Sequence, residues 1–74
     1  MTRKEEEDYI RKGHEISKGG KNFSSCIEKV GCVWVVSKAM ITNSGNLFHR
    51  IKNYEDVDEG TKQFYSFLDD FEEP

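Results

Sequence analysis

Long apolar runs are missing from this 74-residue sequence. The longest, residues 32–36, has five residues, whereas a membrane-spanning helix needs about 20. The N-terminal segment MTRKEEEDYIRK is acidic and has no apolar stretch of the kind that a signal peptide contains. We therefore expect a cytoplasmic protein that does not enter a membrane.

Cysteine is scarce as well, with only Cys26 and Cys32. Two cysteines are too few for a disulfide framework. We expect both to be reduced and buried, although a single bridge between them stays open. Structural zinc sites favour two to four residues between paired cysteines, whereas five separate these two, and His14 and His49 lie elsewhere in the chain. The sequence therefore predicts no metal site and no other cofactor.

Catalytic motifs are absent too. The stretch KGGKN at residues 18–22 follows a predicted helix and lacks the G-x-x-x-x-G-K-[ST] pattern of a phosphate-binding loop. Cys32 and His49 could meet on adjacent strands, but no orienting carboxylate or oxyanion hole accompanies them. We therefore predict that the protein is not an enzyme.

Aromatic residues and an uneven charge distribution are what the sequence does contain. Five Phe, three Tyr and one Trp indicate a folded chain rather than a disordered one. The net charge is −3, but residues 18–53 hold six basic residues and one acidic residue, whereas residues 54–74 hold eight acidic residues and one basic residue. A basic middle followed by an acidic end suggests recognition of a partner.

Two helices are predicted, one near each end. Thr2 and Glu5 fit a capping box that begins a helix over residues 3–17, with Gly13 as an unfavourable interior residue. We expect this helix to lie loosely on the surface and to end at Gly19 and Gly20. A second helix is predicted over residues 57–72, followed by a tail at 73–74. Its apolar residues recur with helical period: Val57, Phe64, Phe67, Leu68 and Phe71.

The residues between the helices, 23–54, predict antiparallel strands at about 23–29, 32–41 and 47–53. The segment VGCVWVV concentrates β-branched and aromatic residues, and both faces of the second strand are apolar, which indicates a central strand. The competing interpretation makes residues 25–40 a helix and the protein an all-α helical bundle. We predict a single α+β domain over residues 1–74: helix, three-stranded antiparallel sheet, helix.

The function that this pattern favours is non-enzymatic binding of another protein, as an inhibitor or regulator, with self-association into a homo-oligomer as a further expectation. Small acidic proteins of this kind are typical of phages and mobile elements, whose products act in the host cytoplasm. The predicted partner-binding residues lie on the second helix, where Tyr65 is expected to be the exposed aromatic: Tyr65, Asp69, Asp70, Glu72 and Glu73.

The alternative function is nucleic-acid binding by the basic central strands, because basic groups beside exposed aromatics can hold phosphates while bases stack. The helix–three strands–helix order resembles the double-stranded RNA-binding domain in topology only, since Asp56, Asp58 and Glu59 stand where that family has a basic cluster. The residues of this alternative surface, which could equally contact a protein, are Trp34, Lys38, Phe48, His49, Arg50 and Lys52.

Overall fold

Six elements make up the fold in the computed structural model, which describes the backbone of residues 2–72 and the side chains of residues 2–70. They are α1 (Arg3–Arg11), β1 (Ile16–Gly19), β2 (Phe23–Val30), β3 (Val33–Ile41), β4 (Leu47–Tyr54) and α2 (Val57–Glu72). The strands form one antiparallel sheet in the order β1-β2-β3-β4. The predicted α+β class is confirmed, but the prediction of three strands is wrong, and the fourth strand removes the topological resemblance to the double-stranded RNA-binding domain. The predicted tail at 73–74 lies outside the described residues.

Helix α1 is shorter than predicted because Gly13 ends it. Gly13 has a φ of 91°, a conformation that glycine adopts without steric penalty. Its N–H donates to the Ile10 carbonyl (2.9 Å), and the His14 N–H donates to the Tyr9 carbonyl (3.2 Å). These two bonds form a Schellman motif. The predicted helix 3–17 is therefore wrong in its last part, and the glycine taken as an interior residue is the stop signal.

The start of α1 and its docking are both well defined. The capping box of Thr2 and Glu5 is present, as the sequence predicts. Ile10 is fully buried, and the Trp34 Nε1–H donates to the Ile10 carbonyl (3.2 Å). The expectation of a loosely placed helix is therefore wrong, because α1 contributes to the core.

Strand β1 takes up Ile16 and Ser17, which were predicted to end the first helix, and Lys18 and Gly19, which were predicted to form the turn after it. Ile16 pairs with Ile27 of β2, and the Gly20 N–H donates to the Phe23 carbonyl (3.0 Å) in the turn between the strands. A Cβ atom at Gly19 would lie 2.2 Å from the Phe23 carbonyl oxygen. Only glycine fits there, so this glycine pair forms a tight strand connection rather than a helix end.

Strands β2 and β3 settle the competing interpretations of the middle segment in favour of the sheet. The all-α helical bundle is wrong, and β3 is the predicted central strand, with β2 on one side and β4 on the other. Ile27 and Val36 are opposite each other, and both are fully buried. Alternation along β3 then places Trp34, Val36 and Met40 on the face towards the helices, and Val33, Val35, Ala39 and Ile41 on the opposite face.

Helix α2 confirms the prediction for residues 57–72. Phe64 and Phe67 are buried and Leu68 packs against them, whereas the Phe71 side chain lies outside the described part. Burying each Phe stabilises the fold by about 1.5–3 kcal/mol. The helix lies mainly over β2 and β3, so most of β4 stays uncovered on this face. None of the helices described is long and apolar enough to cross a membrane.

Candidate protein-binding surface

Tyr65, the first of the predicted contact residues, is part of the core. It is 8% exposed, its hydroxyl donates to the Glu6 carboxylate (2.7 Å), and the Arg3 guanidinium lies 4.0 Å from its ring centroid. Burial, together with the hydrogen bond to Glu6, raises the pKa of Tyr65 well above its ordinary value. The expectation of an exposed Tyr65 is therefore wrong, because α1 covers the side of α2 that carries it.

The acidic residues predicted to bind a partner divide into three kinds. Asp69 is exposed. Asp70 is exposed but accepts a hydrogen bond from Lys38 Nζ (3.3 Å), so part of its charge is compensated within the protein. The side chains of Glu72 and Glu73 lie outside the described part of the chain. The predicted contact set thus stays a prediction for Asp69, Asp70, Glu72 and Glu73.

The most exposed large apolar side chains that the structure describes lie on β4. Leu47 is 70% exposed, Phe48 64% and Ile51 54%. Residues 47–53 are exposed throughout, and only the last residue of the strand, Tyr54, is half-buried, under α2. We call the following residues the β4 surface: Leu47, Phe48, His49, Arg50, Ile51 and Lys52.

The two faces of β4 differ in chemistry because successive side chains alternate. Leu47, His49 and Ile51 lie on the face opposite the helices, as the register with β3 shows. Phe48, Arg50 and Lys52 lie on the helix side, as the sequence predicts for both sets. An open cleft of about 500 Å³ is lined by Lys38, Met40, Phe48 and Arg50, whose side chains lie on the helix side, and by His49 between them in the strand. One strand thus offers an apolar row on one face and a basic row beside an aromatic ring on the other.

The basic residues of the β4 surface are not neutralised by the fold. Within the described residues, neither Arg50 nor Lys52 forms an ion pair. By contrast, Lys38, which is opposite Arg50 in the sheet, binds Asp70, and Lys18 binds Glu6 at 3.0 Å. The β4 surface therefore carries positive charge that no described side chain compensates, on a protein whose net charge is negative.

The backbone of β4 also has unused hydrogen-bonding groups, because β4 is an edge strand. The Thr42 N–H donates to the Asn46 carbonyl (2.8 Å) at the β3–β4 turn. Hydrogen-bonded and non-hydrogen-bonded pairs alternate along an antiparallel ladder, so the even-numbered residues of β4 bond to β3. The N–H and C=O groups of the odd-numbered residues then point outward: Leu47, His49, Ile51 and Asn53.

Two residues of the predicted nucleic-acid set lie away from the β4 surface or are already engaged. Trp34 is half-buried, with its indole N–H bonded to Ile10 and Lys29 Nζ lying 5.1 Å from its ring centroid. Lys38 is also half-buried and lies over the Phe67 ring, 4.9 Å from the centroid. Of the six residues, the structure places four together and exposed: Phe48, His49, Arg50 and Lys52.

The two cysteines are free thiols, so the bridge left open by the sequence is not formed. Cys26 is half-buried on β2 and Cys32 is exposed in the next turn, so the expectation that both are buried is wrong for Cys32. Burial, together with the Glu15 carboxylate 3.6 Å from Sγ, raises the pKa of Cys26 to about 11. A thiol held in its neutral form is a poor nucleophile.

The described side chains do not form a metal-binding cluster. No group of three or more His, Cys, Asp or Glu side chains among them lies close enough together to hold a metal ion. The β4 surface itself offers exposed apolar area, the cations Arg50 and Lys52 and an open strand edge.

Comparison with known proteins found no protein-family model, no curated protein and no solved structure that matches this chain.

Sequence reasoning missed Leu47 and Ile51 as surface residues. Their alternation with His49 was visible, but either face of β4 could have been the buried one. A signal was available in the chain order, since the last strand of an antiparallel meander is an edge strand, and no further strand covers its outer side.

Proposed function

We propose that this protein is a small non-enzymatic module that binds another protein through the β4 surface and acts as its inhibitor or regulator. The observation that carries the proposal is the exposure of Leu47, Phe48 and Ile51 on one strand. Large apolar side chains grouped on a surface and bordered by polar residues mark interaction sites. The uncompensated charges of Arg50 and Lys52 add selectivity, since electrostatic complementarity favours some partners over others.

The cellular setting forms part of the proposal. Cys26 and Cys32 are unpaired, and the cytosol keeps thiols reduced, so we place the protein in the cytoplasm. A phage or mobile element acting on its host remains the origin that we expect for a regulator of this size and charge.

Affinity capture from a lysate of the source organism tests this function. The wild-type chain and a Leu47→Thr/Ile51→Thr double variant serve as baits, and threonine is chosen because it keeps strand propensity. We expect a partner retained by the wild type and lost by the double variant. Val30→Thr is the matched control, because Val30 is 53% exposed on another strand, and it should retain the partner. Capture of no specific partner, with a monomeric mass by light scattering, would contradict the proposal.

Nucleic-acid binding remains a second candidate, supported by Phe48 beside the unpaired Arg50 and Lys52 on one face of β4. Titration with single- and double-stranded probes at two salt concentrations tests it. Two phosphate contacts predict a slope of log affinity against log salt of about −1.4 for a single strand. Binding without salt dependence, or no binding, would remove this candidate. At low salt, where charges are little screened, the acidic residues 54–74 oppose it by repelling phosphates.

A further inference from the structure

Strand β4 combines an open edge with two different rows of side chains, one on each face of the sheet. The outward N–H and C=O groups of β4 belong to the residues that carry the apolar row, Leu47 and Ile51, whereas Arg50 and Lys52 project on the other face. An added strand would bond to this edge and place its own side chains opposite both rows. Each row therefore determines which kind of side chain the added strand needs on that face.

We propose that β4 accepts an extended segment of a partner protein as a fifth strand, with acidic side chains opposite Arg50 and Lys52 and an aliphatic side chain opposite Ile51. This rests on the proposed function and specifies its partner as an acidic–aliphatic–acidic segment. Opposite charges on directly paired residues stabilise a sheet, and like charges destabilise it. The aliphatic residue covers part of the exposed area of Ile51, as cross-strand apolar pairs do.

A second copy of this chain fits the edge less well. A two-fold axis normal to the sheet keeps each face on its own side, so antiparallel self-pairing must be centred on one residue of β4. Centring on Arg50 puts two Arg50 side chains opposite each other, and centring on Ile51 puts Arg50 opposite Lys52. Centring on His49 avoids these clashes of like charge but leaves both cations without a partner. Basic residues on an edge strand are a known guard against such self-pairing.

The acidic end of the chain does not cancel the preference of β4 for an acidic partner segment. At physiological ionic strength, exposed charges farther apart than about 8 Å are largely screened. Asp70 is already engaged with Lys38, and Asp58 with Arg11. Within the described residues Arg50 and Lys52 form no ion pair, so both are available to a strand at the β4 edge.

Two synthetic nonapeptides, VEVEVEVEV and VKVKVKVKV, test the proposal against the full chain by NMR titration of backbone amides at physiological salt, where distant charges are screened. We expect the Glu peptide to bind at least about tenfold more tightly than the Lys peptide, because two cross-strand pairs change from opposite to like charge. The amide shifts should concentrate on Leu47, His49, Ile51 and Asn53. A Glu peptide N-methylated at its valines, which lie opposite the outward-facing residues of β4, should lose binding, since it cannot donate to the edge.

Charge exchange supplies the decisive variant. In Arg50→Glu/Lys52→Glu the preference should invert towards the Lys peptide, after circular dichroism has shown that the variant is folded. Lys12→Glu/Lys21→Glu makes the same change in net charge at exposed positions outside β4 and should leave the preference as in the wild type. An inversion in this control would show that net charge, not the β4 edge, selects the peptide, and would overturn the proposal.

Three further outcomes would contradict the proposal. Equal binding of both peptides, no binding of the Glu peptide at millimolar concentration, or a dimeric mass with β4 in the interface would each overturn strand addition. One of these outcomes can occur together with a partner that the wild type captures and Leu47→Thr/Ile51→Thr does not. In that case the proposed function is supported, and only the addition of a fifth strand is refuted. If no partner is captured either, both the proposed function and strand addition are refuted.

Discussion

The Tyr65 hydroxyl of α2 donates a hydrogen bond of 2.7 Å to the Glu6 carboxylate of α1, across 59 positions of sequence. Glu6 is 6% exposed, and Lys18 Nζ of β1 lies 3.0 Å from its second oxygen. A buried carboxylate is costly without partners, and here it has two. Glu6 thus joins the two helices and the edge strand β1, and it explains why both Tyr65 and α1 are held in place.

Replacing Tyr65 with Phe should lower the free energy of unfolding by about 1–3 kcal/mol, the range for removing one partner of a buried hydrogen bond to a charged group. Chemical denaturation in urea measures the change. Tyr9→Phe is the control, because Tyr9 is 42% exposed, and it should shift stability by less than about 0.5 kcal/mol. Equal effects of the two substitutions would show that the bond to Glu6 contributes nothing.

The same contact predicts a loss of stability in acid. Burial alone would raise the pKa of Glu6, but hydrogen bonds from Tyr65 and Lys18 and the Lys18 charge together lower it below its ordinary value. A lowered pKa in the folded state means that the ionised carboxylate stabilises the fold above the unfolded pKa of about 4.3, and that this contribution disappears as the pH falls through the folded value. The stability difference between the wild type and Glu6→Gln should therefore shrink between about pH 7 and about pH 3. A difference that stays constant over this range would contradict the account.

Local sequence patterns predicted much of this fold. The helical period of Phe64, Leu68 and their neighbours placed α2, and the β-branched run with alternating faces placed β3 at the centre of the sheet. The strand β1 was missed for a physical reason. It has four residues, of which only Ile16 is shielded from solvent, so no alternation of period two could show itself.

The candidate site was predictable in part. Alternation put Phe48, Arg50 and Lys52 on one face of a strand, but their exposure depends on which strands α2 crosses, which no local pattern encodes. The prediction that Tyr65 is exposed was wrong for the same reason. Its angle on the helical wheel pointed away from Phe64, yet α1 occupies that side and brings Glu6 to it.

Gly19→Ala should destabilise the protein by more than about 1 kcal/mol, because the new Cβ would overlap the Phe23 carbonyl oxygen at 2.2 Å and the β1–β2 turn would have to shift. Thermal unfolding measures the effect. Ser17→Ala, an exposed position on the same strand, should change stability by less than about 0.5 kcal/mol. A Gly19→Ala variant as stable as the Ser17→Ala variant would refute the close approach.

The two thiols should react at different rates. Cys32 is exposed, whereas Cys26 is half-buried and has a pKa of about 11, so only about one thousandth of Cys26 is thiolate at about pH 8. Brief treatment with iodoacetamide, followed by peptide mass spectrometry, should show labelling at Cys32 first. Denaturation in urea should equalise the two sites, which is the control for intrinsic reactivity. Preferential labelling of Cys26 in the native state would contradict its placement against Glu15.

The β4 surface should contribute little to stability, which separates it from the core. Leu47→Thr and Ile51→Thr each leave a β-branched side chain on the strand and remove apolar area that is already in water, so each should change the free energy of unfolding by no more than about 0.5 kcal/mol. Phe64→Ala, at a fully buried position, should cost about 3–5 kcal/mol. Urea denaturation of the three variants measures the contrast. If Leu47→Thr or Ile51→Thr lowered the free energy of unfolding by several kcal/mol, the wild-type side chains would contribute to the packing of the free protein. Their exposure would then no longer support a partner-binding role for the β4 surface.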